Sequence, residues 1–454
     1  MAIALDGGSP DSFPWDTLPG QKGLTPFGRR RGPQTGHLFS LTARVPHVSA
    51  GIASNSAAGK VELSEARPES DESPALSADI KDFDARLIKE SFSSIAESPA
   101  AAMEHFYARL FVRYPDIRSM FPHAMHDHME HVFAALARIV WSIDNPGSLT
   151  AYLSQLGCAH RKFGVKERHY ESFLAVLAET VRHFSGNHWT EETQAAWDAA
   201  LRHVRSVMLA AAGRDAAQQP PWWIGEVVQH EQRRPDLAVL TIRPDQPLRY
   251  VPGQYLAVQV PRWPRVWRNF SIANAPRENG LIDLHVRGVC GGMVSGSLVH
   301  NTRPGDTLLL GRADGEMTTS ADEDRDLLCI AGGTGLAPIK AIIEGVINAS
   351  QPGRRRKIVL FFGARCEEDL YDLSDLRVLE WIYSALTVIP VVSHQPDFDG
   401  IKGMLPEVVA RNASCEGKEI YVSGPEPMVR QTTALLAGRA GAGQIRYDPP
   451  ELGR

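Results

Sequence analysis

The feature that most constrains this chain of 454 residues is a change in hydrophobic period near residue 222. Upstream, from about residue 79 to 212, every strong segment carries helical spacing. The segments are Met103–Arg113, Met129–Ser142, Tyr152–Phe163, Tyr170–Phe184 and Glu191–Ala211, broken by Pro115, Pro122, Pro146 and Gly186. Such a stretch predicts an all-α domain. Downstream, Trp223–Val228, Ala238–Ile242, Tyr255–Val260 and Ile282–Val286 are short, β-rich and separated by Pro and Gly, as in a small antiparallel β-barrel. From Asp326 onward the strands Leu327–Ala331, Ile358–Gly363, Thr387–Val392 and Glu419–Ser423 alternate with helices at Ala337–Ile347 and Pro427–Leu436. That alternation predicts a parallel-sheet α/β domain. The chain is therefore multidomain: helices over 79–212, a polar linker over 213–221, a barrel over 222–324 and an α/β domain over 325–454.

Residues 1–78 are rich in Pro, Gly, Ser and Ala without sustained periodicity, and read as a disordered extension or as a start assigned too far upstream. Order is expected from a capping residue near Ser77-Ala78-Asp79, ahead of Ile80, Phe83, Leu87, Ile88 and Ile95. The run Arg29-Arg30-Arg31 invites comparison with a twin-arginine export signal, but polar Gly-Pro-Gln-Thr-Gly-His follows it and no apolar core region appears before Ala75. No window approaches eighteen uninterrupted apolar residues, so no membrane span is expected. A net charge of −5 without a long block of one sign argues against a nucleic-acid arm. Five scattered cysteines form neither a disulfide framework nor a Cys-x-x-Cys metal site, which suits a reducing cytoplasm.

Three short motifs carry chemistry in the downstream half. Arg268-Asn269-Phe270-Ser271 ends a barrel strand after Pro252-Gly253-Gln254-Tyr255. Gly332-Gly333-Thr334-Gly335-Leu336-Ala337-Pro338 stands between an apolar strand and a helix, where glycines admit a phosphate to the backbone and the helix start supplies N–H donors. Ser423-Gly424-Pro425-Glu426-Pro427-Met428 follows the fourth strand. A lone Gly-Gly-x-Gly is common in turns; three motifs in order, each in strand–turn–helix context, are not. Together they resemble the ferredoxin–NADP reductase superfamily over Trp222 to about Tyr447. The resemblance implies that Arg268 forks onto the FAD pyrophosphate, Phe270 packs on the isoalloxazine and Ser271 bonds near its N5. It implies further that Gly291-Gly292-Met293-Val294-Ser295 presents a helix start to the same pyrophosphate. Gly332, Gly333, Thr334 and Gly335, with Ser423, Gly424 and Pro425, would hold the nicotinamide nucleotide. Without an arginine in Ser393-His394-Gln395-Pro396 after the third strand, NADH is favoured, with NADPH as the alternative.

The helical half, about Asp82 to Ala212, is similar to the globin of bacterial flavohaemoglobins. The similarity is carried by His105-Phe106-Tyr107, Tyr114-Pro115, Phe121-Pro122, Phe133-Ala134-Ala135-Leu136, Ala159-His160-Arg161-Lys162-Phe163-Gly164-Val165, Tyr170 and Trp197. It implies a b-type haem with His160 as proximal ligand, Phe121 wedging the porphyrin, and Tyr107 donating a hydroxyl on the distal side. His128 takes the distal position usual for glutamine, with His126 in reserve, and Val132 the apolar position one turn on. Tyr170 would lie near the proximal histidine.

Departures from the family pattern are informative. Phe270 replaces a tyrosine. The C-terminus, Ile445-Arg446-Tyr447-Asp448-Pro449-Pro450, lacks the segment whose phenylalanine covers the flavin. Ala212 stands where the family has a glutamate that makes the proximal imidazole electron-donating. The first two departures bear on FAD affinity and hydride access; the missing glutamate, with His128 in place of glutamine, predicts a less electron-rich iron and a distal imidazole able to ligate it. The implied activity is electron passage from NAD(P)H through FAD to haem, with oxygen and nitric oxide as substrates of a nitric oxide dioxygenase and nitrate as product. Alternatives are an oxidoreductase serving a quinone, dye or hydroperoxide through the haem, or a haem-based gas sensor. The oligomeric state is not indicated.

Overall fold

In the computed structural model, residues 84–319, 324–351, 355–441 and 444–448 are described, and they fall within one contact unit. The expected N-terminal extension, the cap at Ser77–Asp79, and Ile80 and Phe83 lie outside them. The first helix, α1 (Ala85–Ala96), opens at Asp84, whose carboxylate accepts the Arg86 and Leu87 N–H groups. Its buried face is Ile88, Ser91, Phe92 and Ile95, the stripe that a helical period places on one side. α2 (Pro99–Arg113), a 3-10 turn (Pro115–Met120), α3 (His126–Trp141), α4 (Pro146–His160), α5 (Glu167–Ser185) and α6 (Glu191–Ala216) complete the helical domain. The Trp197 indole donates to Ser91 Oγ at 2.8 Å, joining α6 to α1.

Helices α4 and α6 cross very closely. A Cβ on Gly157 would stand 2.3 Å from the Met208 carbonyl oxygen, so only glycine permits the approach. Three residues later α4 ends on His160, and the turn Arg161–Phe163 closes on Gly164 at φ +67°.

The second domain is a six-stranded antiparallel sheet in the order β4-β3-β6-β1-β2-β5. Its strands are β1 (Trp223–Arg234), β2 (Leu237–Pro244), β3 (Tyr255–Gln259), β4 (Arg268–Ser271), β5 (Ile282–Arg287) and β6 (Thr307–Asp314). An Ile272–Leu284 bridge brings the end of β4 to β5, curling the sheet into the expected barrel around Trp223, Val227, Leu256, Val258, Leu284 and Leu310. Helix α7 (Met293–His300) covers one mouth.

The third domain is a parallel sheet, β10-β9-β8-β7-β11-β12. Its strands are β7 (Asp326–Gly332), β8 (Ile358–Ala364), β9 (Leu386–Val392), β10 (Ile401–Lys402), β11 (Lys418–Ser423) and β12 (Ile445–Arg446). Its helices are α8 (Leu336–Ala349), α9 (Leu373–Ile382), α10 (Leu405–Asn412) and α11 (Glu426–Leu436). Separate apolar cores on the two faces explain why its central strands read as unbroken hydrophobic runs. The fold class is the one expected: helices, then barrel, then parallel sheet.

One boundary differs. α6 continues to Ala216, four residues into the segment read as linker. Polar composition suggested exposure there, but Asp215 is only 9% exposed at its side chain because it meets Arg161 and Arg312. Among the described residues no helix is long and apolar enough to cross a membrane.

Candidate functional site

Three groups of candidate residues lie along the chain. In the helical domain α2 supplies Tyr107 and α3 supplies His128, and the tyrosine hydroxyl lies 3.0 Å from His128 Nε2. Tyr107 is buried and His128 half-buried; desolvation lowers the His128 pKa to about 2 and keeps the ring neutral. Phe121, buried at the end of the 3-10 turn, stands edge-on to both rings, its centroid 5.5 Å from Tyr107 and 5.2 Å from His128. Val132, one turn along α3, is partly buried. His126, the reserve, is 81% exposed beside Glu130 and faces solvent.

His160 carries its Nδ1 2.6 Å from the Leu156 carbonyl oxygen. A carbonyl only accepts, so Nδ1 bears the hydrogen and Nε2 keeps its lone pair, the form in which a neutral imidazole ligates iron. Burial pushes the His160 pKa down to about 3, which secures that form. Tyr170 lies beside it, ring centroids 6.2 Å apart. Ala212 offers no carboxylate, and the carboxylate one turn further on α6, Asp215, turns instead to Arg161 and Arg312. The donor set fits a haem: His160 would hold it as an uncharged imidazole whose Nδ1–H goes to a backbone carbonyl rather than a carboxylate, and Tyr107 and His128 supply polar groups.

Between this pocket and the barrel opens a cavity of about 550 Å³, with Met120, His128, Phe163, Trp267, Arg268 and Met293 in its wall. β4 aligns its residues against β3, Phe270 opposite Leu256 and Ser271 opposite Tyr255. Arg268 Nη1 donates to the Trp267 carbonyl at 2.9 Å, which fixes the base of its fork. Gly291 adopts φ +75°, and the turn delivers the start of α7 to the same cavity as Arg268. A guanidinium and open helix N–H groups at one wall suit a pyrophosphate. Val294 is 1% exposed in the barrel core and Ser295 9%, so these two would serve through the backbone rather than the side chain.

The third group lines a second cavity, about 300 Å³, at the carboxyl ends of the parallel strands, the switch region where open α/β sheets take ligands. Gly332, Gly333 and Pro425 line it. Gly335 and Gly424 serve packing: a Cβ on Gly335 would meet the Ser423 carbonyl oxygen at 2.4 Å, and Gly424, at φ +152°, is 3.0 Å from the Gly332 oxygen by the same measure. Thr334, Ser423 and Gly424 are not in the lining. Arg287 from β5 and Arg365 after β8 are, and the sequence reading missed both. It sought a phosphate-binding arginine only after the third strand; Gly363-Ala364-Arg365 at the end of the second was the available signal.

Comparison with known proteins agrees with this architecture. Residues 104–208 match the globin family model, 225–318 the oxidoreductase FAD-binding domain and 329–434 the oxidoreductase NAD-binding domain. The xylene/toluene monooxygenase electron transfer component of Pseudomonas putida is 34% identical over 198 residues, which cover 43% of this chain and 55% of that protein. The flavohemoprotein of Bordetella pertussis is 27% identical over 301 residues, covering 60% and 72%. The crystal structure of a flavohemoglobin from Malassezia yamatoensis, with bound FAD and heme, superposes with TM-score 0.67 at 17% identity, over 82% of this chain and 99% of that one. At that identity the likeness speaks for the fold. The chain spans little more than half the length of the reductase components it matches.

The chain joins a globin domain to an oxidoreductase FAD-binding domain and an oxidoreductase NAD-binding domain. That domain order is like the one in the flavohaemoglobins, and domains of these three kinds call for haem, FAD and a nicotinamide nucleotide.

Proposed function

We propose that this protein is a nitric oxide dioxygenase, converting nitric oxide and oxygen to nitrate with electrons from NAD(P)H. The observation that carries the reading is a neutral His160 with its Nε2 lone pair free of the Leu156 bond, in the same helical domain as the hydrogen-bonded Tyr107–His128 pair. When bound, FAD divides a two-electron hydride into single electrons, and haem supplies the iron at which the two gases react.

The chain's own residues do the rest. Arg268 and the start of α7 seat the flavin pyrophosphate, and Gly332, Gly333 and Pro425 seat the nicotinamide nucleotide. His160 holds iron through Nε2 while Leu156 fixes its tautomer. Tyr107 donates its hydroxyl to a polar diatomic ligand, and His128 accepts or supplies a proton at Nε2, so the pair can turn a donor toward negative charge developing beside it. Phe121 and Val132 exclude water, which strengthens that hydrogen bond. Five unpaired cysteines fit a reducing cytoplasm.

The test is nitrate formed per NADH consumed, in wild type and Tyr107→Phe. Loss of one preorganised donor is expected to slow nitric oxide removal by about 10²-fold, with reduction of an artificial dye by the flavin unchanged. Brisk dye reduction in wild type with no nitrate above a haem-free control would contradict the reading. A second reading, an NAD(P)H oxidoreductase that delivers electrons to another acceptor, is favoured by one feature: the proximal imidazole lacks a carboxylate partner.

A further inference from the structure

We infer that Asp215 is a positioning residue that fixes the flavin barrel against the haem-ligand helix, and so sets how fast electrons cross between the two. Its carboxylate lies near the end of α6 and is buried, yet it serves both domains. From the globin side it accepts from Arg161, the residue directly after His160, which also donates Nη2 to the Gln219 carbonyl at 2.8 Å. From the barrel side Arg312 on β6 donates Nη1 to it at 3.0 Å. Gln219 adds a bond from Nε2 at 2.6 Å.

A second contact stands on the same turn. Phe163 meets Trp267 edge-on at 6.3 Å, and Lys162 Nζ is 5.5 Å from the Trp267 ring. Trp267 immediately precedes Arg268, and Phe163 is itself 6.3 Å from the His160 ring. Residues 161–163, the three after the proximal ligand, thus hold the barrel at two points.

A buried carboxylate between two guanidiniums is a poor source of stability, because desolvation offsets most of its attraction, but it specifies one geometry. Asp215, one turn beyond Ala212 on α6, meets Arg161 and Arg312 and not the His160 imidazole, whose Nδ1 bonds the Leu156 carbonyl. The inference rests on haem and flavin sharing this chain, and extends that reading to the residue that sets their spacing.

The experiment compares wild type, Asp215→Asn, Asp215→Glu and Arg312→Gln as purified holoproteins. After anaerobic mixing with NADH, flavin bleaching, haem reduction and dye reduction are followed separately, and cleavage at residues 217–222 by a protease is timed. Arg312→Gln leaves the Arg161–Asp215 pair inside the globin intact and so serves where Asp215→Asn fails to fold. Asp215→Asn and Arg312→Gln are expected to slow haem reduction severalfold or more, because loosening the junction widens and varies the spacing across which electrons pass. Flavin bleaching, dye reduction and the KM for NADH should stay at wild-type values, protease cleavage should quicken, and Asp215→Glu should recover part of the haem rate. Haem reduction at the wild-type rate in Arg312→Gln overturns the inference. Wild-type haem that NADH never reduces overturns instead the reading on which it rests.

Discussion

Arg268 shows how much one side chain can decide. It heads β4, its fork is anchored by the Trp267 carbonyl, and it shares a cavity wall with the start of α7. Removing it withdraws a charge-assisted bond from the pyrophosphate, a loss of about 1.5–3 kcal/mol, or roughly 10- to 150-fold in affinity. Titration of flavin-depleted Arg268→Ala with FAD checks this; a wild-type curve would contradict it. At this scale the sequence disclosed what lies contiguously: Arg268-Asn269-Phe270-Ser271 and Gly332-Gly333 are legible because strand, turn and phosphate-facing backbone occupy neighbouring positions. Arg287, Arg365 and Trp267 were not, because each acquires its role only when another domain or strand is folded beside it. The Tyr107–His128 bond joins positions 21 residues apart and was visible only as two separate distal candidates.

Among the elements, α4 and α6 determine where His160, the proposed haem ligand, stands. Gly157→Ala drives a methyl group into the Met208 backbone, which cannot yield as a side chain would. The expected cost is about 1–3 kcal/mol, as for other overpacked sites, read as a lower urea midpoint, with loss of haem affinity beside unchanged flavin content. An unchanged midpoint would contradict the close crossing. Helix α5 carries a pH-sensitive start. Lys166 N–H donates to His169 Nδ1 at 2.8 Å, so the neutral ring carries its hydrogen on Nε2, and a second proton on Nδ1 would break that bond beside the Arg168 guanidinium, whose Nε is 3.0 Å from Nε2. Burial first, then Arg168, lowers the His169 pKa from 6.5 to about 4. The unfolded chain therefore takes up a proton before the folded one does. The stabilisation is complete above pH 6.5 and declines as pH falls toward 4, by about 1.4 kcal/mol per unit at most. His169→Gln, which keeps an acceptor without titrating, should flatten the urea-midpoint profile in that window; parallel profiles would contradict the assignment. Element types were legible from period alone. The end of α6 was not, since a buried aspartate bridging two arginines has the same composition as a solvated linker.

For the whole molecule, the order of domains places a hydride-accepting module and an iron-binding pocket on either side of one cavity of about 550 Å³. This arrangement is the central claim, and the sequence made it legible through the order of its motifs, while the cavity itself required barrel and globin to be assembled. The most direct measurement is the visible spectrum of the purified protein before and after anaerobic NADH, for wild type and His160→Ala. The account predicts flavin and haem bands in wild type, both changed to their reduced forms by NADH, whereas His160→Ala retains flavin that NADH bleaches but little haem. A normal haem spectrum in His160→Ala, or wild-type haem that stays oxidised while the flavin bleaches, would contradict it.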